Sequence, residues 1–181
     1  MNPKALRGRL LALISSLALA APAAAGAATP EETDRETLLE EIRKHRTKTW
    51  HRQAVMGKPR TPRQLSSGRQ VSSLASLSSV RDFWRRRSVR TRRQLRRPPH
   101  RAEWLCIHGY EGPWNDPNEP YFGGLQMDIS FQRGYGRYLL RRKGTANHWT
   151  PAEQMWTAEK ALRAGGSFHA WPIAARRCGL I

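Results

Sequence analysis

The sequence predicts a small, mainly α domain over residues 102–181, carried behind a basic N-terminal extension that is part helix and part linker. Three observations predict it. Charge is uneven: the chain of 181 residues has a net charge of +18, yet residues 1–100 hold 22 Lys+Arg against 7 Asp+Glu, and residues 101–181 hold 10 against 7. Aromatic residues run the other way, with five of the seven Trp at position 104 or beyond, so packed structure is expected to begin near Ala102. Within that half, helix-start signals and glycine stops mark four short helices with little strand pattern.

Residues 1–28 read as an export signal. Lys4, Arg7 and Arg9 precede an apolar run over 10–21, Pro22 breaks it, and Ala25, Gly26 and Ala27 supply small residues for cleavage. Left uncleaved, the same run would be a membrane anchor. Thr29, Pro30 and Glu32 form the start signal of an amphipathic helix over 29–57, with Leu38, Ile42, Trp50 and Ala54 along one side and Gly57 and Pro59 at its end. Residues 58–101 read as linker, first Ser-rich and then Arg-rich, with nine Arg between Arg81 and Arg97. That Arg run suits an anionic envelope polymer or lipid headgroups, or is a solvated, partly helical linker held open by self-repulsion; export argues against nucleic acid.

In the compact half, a short helix from Arg101 should turn Trp104, Leu105, Ile107 and His108 towards a core and end near Gly109 or Gly112, leaving Glu111 at its C-terminus. A Pro- and Asn-rich loop follows over 115–120, then a turn or short extended piece over 121–126. Ser130 is expected to cap a helix carrying Phe131, Tyr135, Tyr138 and Leu139. Thr150, Pro151 and Glu153 open another with Met155, Trp156, Ala158 and Leu162 inward, and a last short helix ends near Cys178. In an exported chain the even pair Cys106 and Cys178 points to a disulfide.

Glu111 is the candidate catalytic residue. Tyr110 and Trp114 flank it, and a desolvated carboxyl at a helix C-terminus favours its protonated form, which can donate a proton to a bridging sugar oxygen. Gln126 offers donor and acceptor groups to an acetamido group or hydroxyl, Gly123 and Gly124 would let a polymer approach the backbone, and Trp114 and Tyr121 could stack on sugar faces or pack in the core. Asp116, Glu119 and Asp128 are the possible second carboxylates; their settings favour turn or helix-start roles. No metal-ligand spacing or nucleotide loop is present, and no cofactor is expected.

The ordered set of Trp104, Glu111 with Gly112, Trp114, Tyr121 through Gln126, Glu153 with Gln154, and Ala170 to Pro172 resembles the transglycosylase-like domain of the resuscitation-promoting factors. The resemblance covers residues 102–181. It implies a lysozyme-like α+β fold and cleavage of the N-acetylmuramic acid–N-acetylglucosamine bond of peptidoglycan by a single Glu, here Glu111, acting as acid and then base. It also implies glycan strands, and a wall peptidase, as partners. Two departures stand out. Tyr110 and Ala174 occupy the family's cysteine places, with Cys106 and Cys178 each displaced by about one helical turn. The run from Glu111 to Trp114 is shorter than the family's. Two other functions stay open: a wall-binding module without activity, and a basic binder of membranes or polyanions.

Overall fold

The computed structural model describes residues 29–63 and 73–181; the expected export signal and residues 64–72 lie outside the described residues. Helix α1 spans Pro30–Val55. Its start is the one the sequence specifies: the Thr29 side chain accepts from the Glu32 amide while the Glu32 carboxylate accepts from the Thr29 amide.

Helix α2, Leu74–Leu95, corrects the reading of 58–101 as linker. It packs along α1, with Ile42, Leu77 and Trp84 buried between them. Arg81 pairs with Glu41 at 3.2 Å, and Arg52 donates to the Ser88 carbonyl at 2.7 Å, so the two helices run in the same direction. The return segment is pinned to α1: Trp50 Nε1 donates to the Thr61 carbonyl, and the Gln53 amide exchanges two hydrogen bonds with Thr61. Side by side, two narrow apolar stripes cover each other, which makes stable two helices that would be marginal alone.

The remaining helices are α3 (Arg101–Glu111), α4 (Ile129–Tyr135), α5 (Arg137–Lys143), α6 (Pro151–Arg163) and α7 (Pro172–Arg177). Strands β1 (Tyr121–Phe122) and β2 (Met127–Asp128) form a two-residue antiparallel hairpin with Tyr121 opposite Asp128. The chain is therefore mainly helical. The helix expected from Ser130 through Leu139 is two helices that break at Gly136, and its cap is Asp128, whose carboxylate accepts from the Phe131 amide at 2.6 Å. The helix therefore starts two residues earlier than expected, where a charged carboxylate, a stronger acceptor than the Ser130 hydroxyl, meets its first free amides.

The core gathers Trp104, Ile107, Leu125, Met127, Leu139, Trp149, Trp156 and Trp171. Each of its four Trp finds an acceptor: Trp104 donates to Glu159, Trp149 to the Gly144 carbonyl, Trp156 to the Leu95 carbonyl and Trp171 to the Leu125 carbonyl. Burial of their rings therefore leaves no indole N–H orphaned. The core does not begin at Ala102. Val55 and Met56, at the end of α1, are fully buried in it. The Met56 carbonyl accepts from Arg163, and Gly57 lies against the Lys160 side chain.

Cys106 on α3 is bonded to Cys178 just after α7, as the sequence suggests, closing a loop of 72 residues. Closing a loop of that length contributes roughly 4 kcal/mol in the chain-entropy account.

Candidate functional site

Helix α3 carries Cys106, Ile107, His108 and Glu111 in its last two turns. Ile107 is fully buried and Cys106 bonded, so the helix has no freedom to rotate, and Glu111 is fixed as its final residue. Gly112 ends the helix at φ 148° and ψ −177°, a backbone state that is essentially restricted to glycine. The chain thus leaves α3 abruptly, and the Glu111 side chain stands half-buried at the corner.

The Glu111 carboxylate accepts no hydrogen bond from any described residue. Burial pushes its pKa above the ordinary carboxylate value, with no donor to pull it back.

Gln126 lies beside this corner. A Cβ on Gly112 would sit 3.5 Å from both Gln126 Nε2 and Asp116 Oδ2. Gln126 adopts a positive φ of 44° in the hairpin turn, and its Nε2 donates to Asp116 Oδ2 at 2.8 Å and to the Gly123 carbonyl at 2.9 Å. Both amide hydrogens are spent, which leaves Oε1 as an acceptor. Asp116 Oδ1 accepts from the Asn118 amide and side chain, and the Asp116 carbonyl accepts from the Gly123 amide. Asp116 therefore ties the 115–120 loop to the hairpin.

The two glycines have a different role from the one expected. Both are buried. A Cβ on Gly123, at φ 74°, would meet the Gln154 amide at 2.6 Å, and one on Gly124 would meet His108 Nδ1 at 2.6 Å and the Trp114 ring at 2.8 Å. They admit protein side chains, not a polymer. Trp114 is likewise engaged: its ring stacks on His108 at 3.9 Å, and its carbonyl accepts from Gln154 Nε2 at 2.7 Å. His108 Nδ1 lies 3.1 Å from the Gly124 carbonyl, which can only accept, so Nδ1 carries the proton. This stack joins α3 to the hairpin, and sequence spacing alone does not show it. Tyr121 is half exposed, as is Tyr110, over which Arg177 lies at 5.2 Å.

The structure thus brings Glu111, Gln126 and Asp116 together at one corner, places Trp114, Gly123 and Gly124 in the packing beneath it, and leaves Tyr121 free on the hairpin. A separate cavity of about 410 Å³ opens beyond the hairpin, lined by Glu119, Phe122, Asp128, Ser130 and Thr145 among others. Glu119 and Asp128, two of the possible second carboxylates, line it; Glu111, Gln126, Trp114, Tyr121, Gly123 and Gly124 do not.

Among the described residues no three His, Cys, Asp or Glu side chains gather as metal ligands, and no helix is long and apolar enough to cross a membrane. Comparison with protein families, with characterised proteins and with solved structures finds no match to this chain.

Proposed function

We propose that this chain is an exported, lysozyme-like enzyme that cleaves the N-acetylmuramic acid–N-acetylglucosamine bond of peptidoglycan as a lytic transglycosylase. The observation that carries the proposal is Glu111: a half-buried carboxyl with a raised pKa and no donor among the described residues, at the end of a disulfide-anchored helix. Such a group retains its proton where an ordinary carboxyl has lost it. It can give that proton to the bridging oxygen as the sugar bond breaks. The resulting carboxylate then takes a proton from the C6 hydroxyl of the muramic acid residue, whose oxygen closes the 1,6-anhydro ring. One carboxyl serves both steps, and no water enters.

The three other candidate carboxylates support the single-acid mechanism over hydrolysis, which needs a second carboxylate to act as nucleophile or water activator. Asp116 is occupied by Gln126 and Asn118, Asp128 caps α4, and Glu119 is exposed in the loop. Gln126 would accept from an acetamido N–H through Oε1, held in that orientation by Asp116, and Tyr121 offers an exposed ring to a sugar face.

The test is digestion of purified cell-wall sacculi by the full chain and by Glu111→Gln, followed by mass analysis of the soluble products. Anhydro-muropeptides from the wild type and none from the variant are expected. Reducing-end products without the anhydro ring would replace transglycosylase by hydrolase. Wall binding without any product would leave a non-catalytic binding module.

A further inference from the structure

The Arg-rich segment, a helix and not a spacer, presents a built surface. The outward side of α2 exposes Arg85, Arg86, Arg90 and Arg93, Arg96 and Arg97 continue the exposed run past its end, and none of these six side chains makes a hydrogen bond or ion pair with a described residue. The only acid on the helix, Asp82, is held by Arg81 at 2.8 Å near the other end. Three depressions follow one another along this side. The first, about 520 Å³, surrounds Val89 with Arg85, Arg86, Arg90 and Arg93. The second, about 230 Å³, shares Arg90 and adds Lys58 and Gln94. The third, about 360 Å³, shares Lys58, Gln94 and Arg93 and reaches Arg97 and Trp156 on α6. Among the described residues no acidic side chain lines any of them.

We infer that this groove binds a linear, base-free phosphodiester polymer of the polyol-phosphate class. Charge selects a polyanion, and its linear form follows from the string of shared depressions: Arg86, Arg90 and Arg93 lie on one face of α2 about 5 Å apart along the axis, and Arg97 follows just past the helix end. Residue type suits phosphate: residues 81–97 contain nine Arg and no Lys, and the guanidinium fork pairs bidentately with phosphate as it does with carboxylate, which makes poly-glutamate the matching control.

Two other polyanion sources fit less well. A lipid surface calls for an apolar face to insert, and the only exposed large apolar side chain on α2 is Val89. Single-stranded nucleic acid calls for exposed aromatic platforms; the one aromatic at the groove, Trp156, is 4% exposed, with Lys58 and Arg163 over its ring. The groove shares no residue with the corner at Glu111, so this inference stands or falls apart from the enzymatic one.

The experiment measures binding of the full chain to poly(glycerol phosphate), to a charge-matched poly-glutamate, to a single-stranded dT oligonucleotide and to phosphatidylglycerol-containing vesicles. Poly(glycerol phosphate) should bind at least about 10-fold tighter than each of the others, with affinity falling as salt rises. The combined variant Arg86→Ser, Arg90→Ser, Arg93→Ser should bind it roughly 30-fold more weakly and lower the salt slope by about 2. The remote variant Arg133→Ser, Arg137→Ser, Arg141→Ser, with the same change in net charge, should bind as wild type does. Equal loss in the two triple variants would reduce the groove to bulk charge and overturn the inference. So would tighter binding to dT, to vesicles or to poly-glutamate. Circular dichroism of each variant confirms that α2 persists; because the replaced side chains are exposed, its loss would itself contradict the surface described.

Discussion

Two glutamates at opposite helix ends are pushed in opposite directions. Glu153 stands in the first turn of α6 and is 3% exposed; Glu111 is the last residue of α3 and only half-buried. Burial alone would raise both pKa values. For Glu153 it is overcome: the His51 imidazole at 3.6 Å, two hydrogen bonds from Lys143 at 2.7 and 2.8 Å, the Thr150 amide and the Lys143 charge hold it down at about 2. Glu111 has none of these and stays high. The helix dipole points the same way in each case, favouring a carboxylate at the α6 start and disfavouring one at the α3 end. Depth of burial therefore does not decide which carboxyl stays protonated. The number of donors aimed at it does.

The sharpest way to break this comparison is Glu153→Gln. It leaves the partly exposed Lys143 ammonium beside a neutral amide and should cost about 2–3 kcal/mol in urea denaturation at pH 7, less than for a fully buried pair because Lys143 can turn to solvent. A loss below about 1 kcal/mol would mean the donors do little. Because the folded pKa lies below the ordinary value of 4.5, the wild-type advantage should be complete above about pH 4.5 and disappear as pH falls through about 2.

The counterpart is Glu111→Gln. Product formation should fall at least about 100-fold, while stability stays within about 0.5 kcal/mol of wild type, since no partner is orphaned. A wild-type rate that does not decline as pH rises through the raised carboxyl range would show that the protonated form is not the one at work.

A cation extends the comparison. Lys160 is half-buried against Gly57 with the Arg163 charge beside it, and burial followed by that like charge lowers its pKa to about 8. Lys160→Met should stabilise by about 1–2 kcal/mol at pH 7, after allowance for a chain tip that reaches solvent. A lysine whose folded pKa is depressed penalises folding fully below about pH 8, and the penalty vanishes above its ordinary 10.5. Thermal melts at pH 7 and pH 11 should therefore show the gain and then its absence. The smallest effect is Thr150→Ala, which removes one side of the box around Glu153 and should cost about 1 kcal/mol.

Local signals were the most legible in the sequence. The two Thr-Pro-x-Glu helix starts, the Cys106–Cys178 bond and the position of Glu111 at a helix end all follow from short-range chemistry that needs no distant partner. Helix α2 was hidden because its buried side is Leu77, Trp84, Ser88 and Thr91; two of the four are small polar residues, so no apolar period appears. Ser88 and Thr91 are buried by hydrogen bonding instead, to Arg52 and to the preceding turn. The same limit applies to the corner at Glu111. The place of Glu111 at the end of α3 was readable, but Gly124 accommodating His108 and Trp114, and Asp116 consuming the amide of Gln126, depend on contacts across 10 to 16 residues. Residue type alone made those glycines look like openings for a ligand.

The single cross-link has a consequence for the fate of the molecule under attack. The loop over 115–120 beside Glu111 is exposed at Asn115, Pro117, Asn118, Glu119 and Pro120, and it lies between Cys106 and Cys178. A protease that cuts there divides the chain in two without separating the halves, because the cystine still spans the cut. Such a nicked form would migrate as one body under oxidising conditions and as two fragments after reduction. In a protease-rich environment the bond would then act as a safeguard of molecular integrity, holding the helix that ends in Glu111 to the rest of its core after the covalent backbone between them has gone.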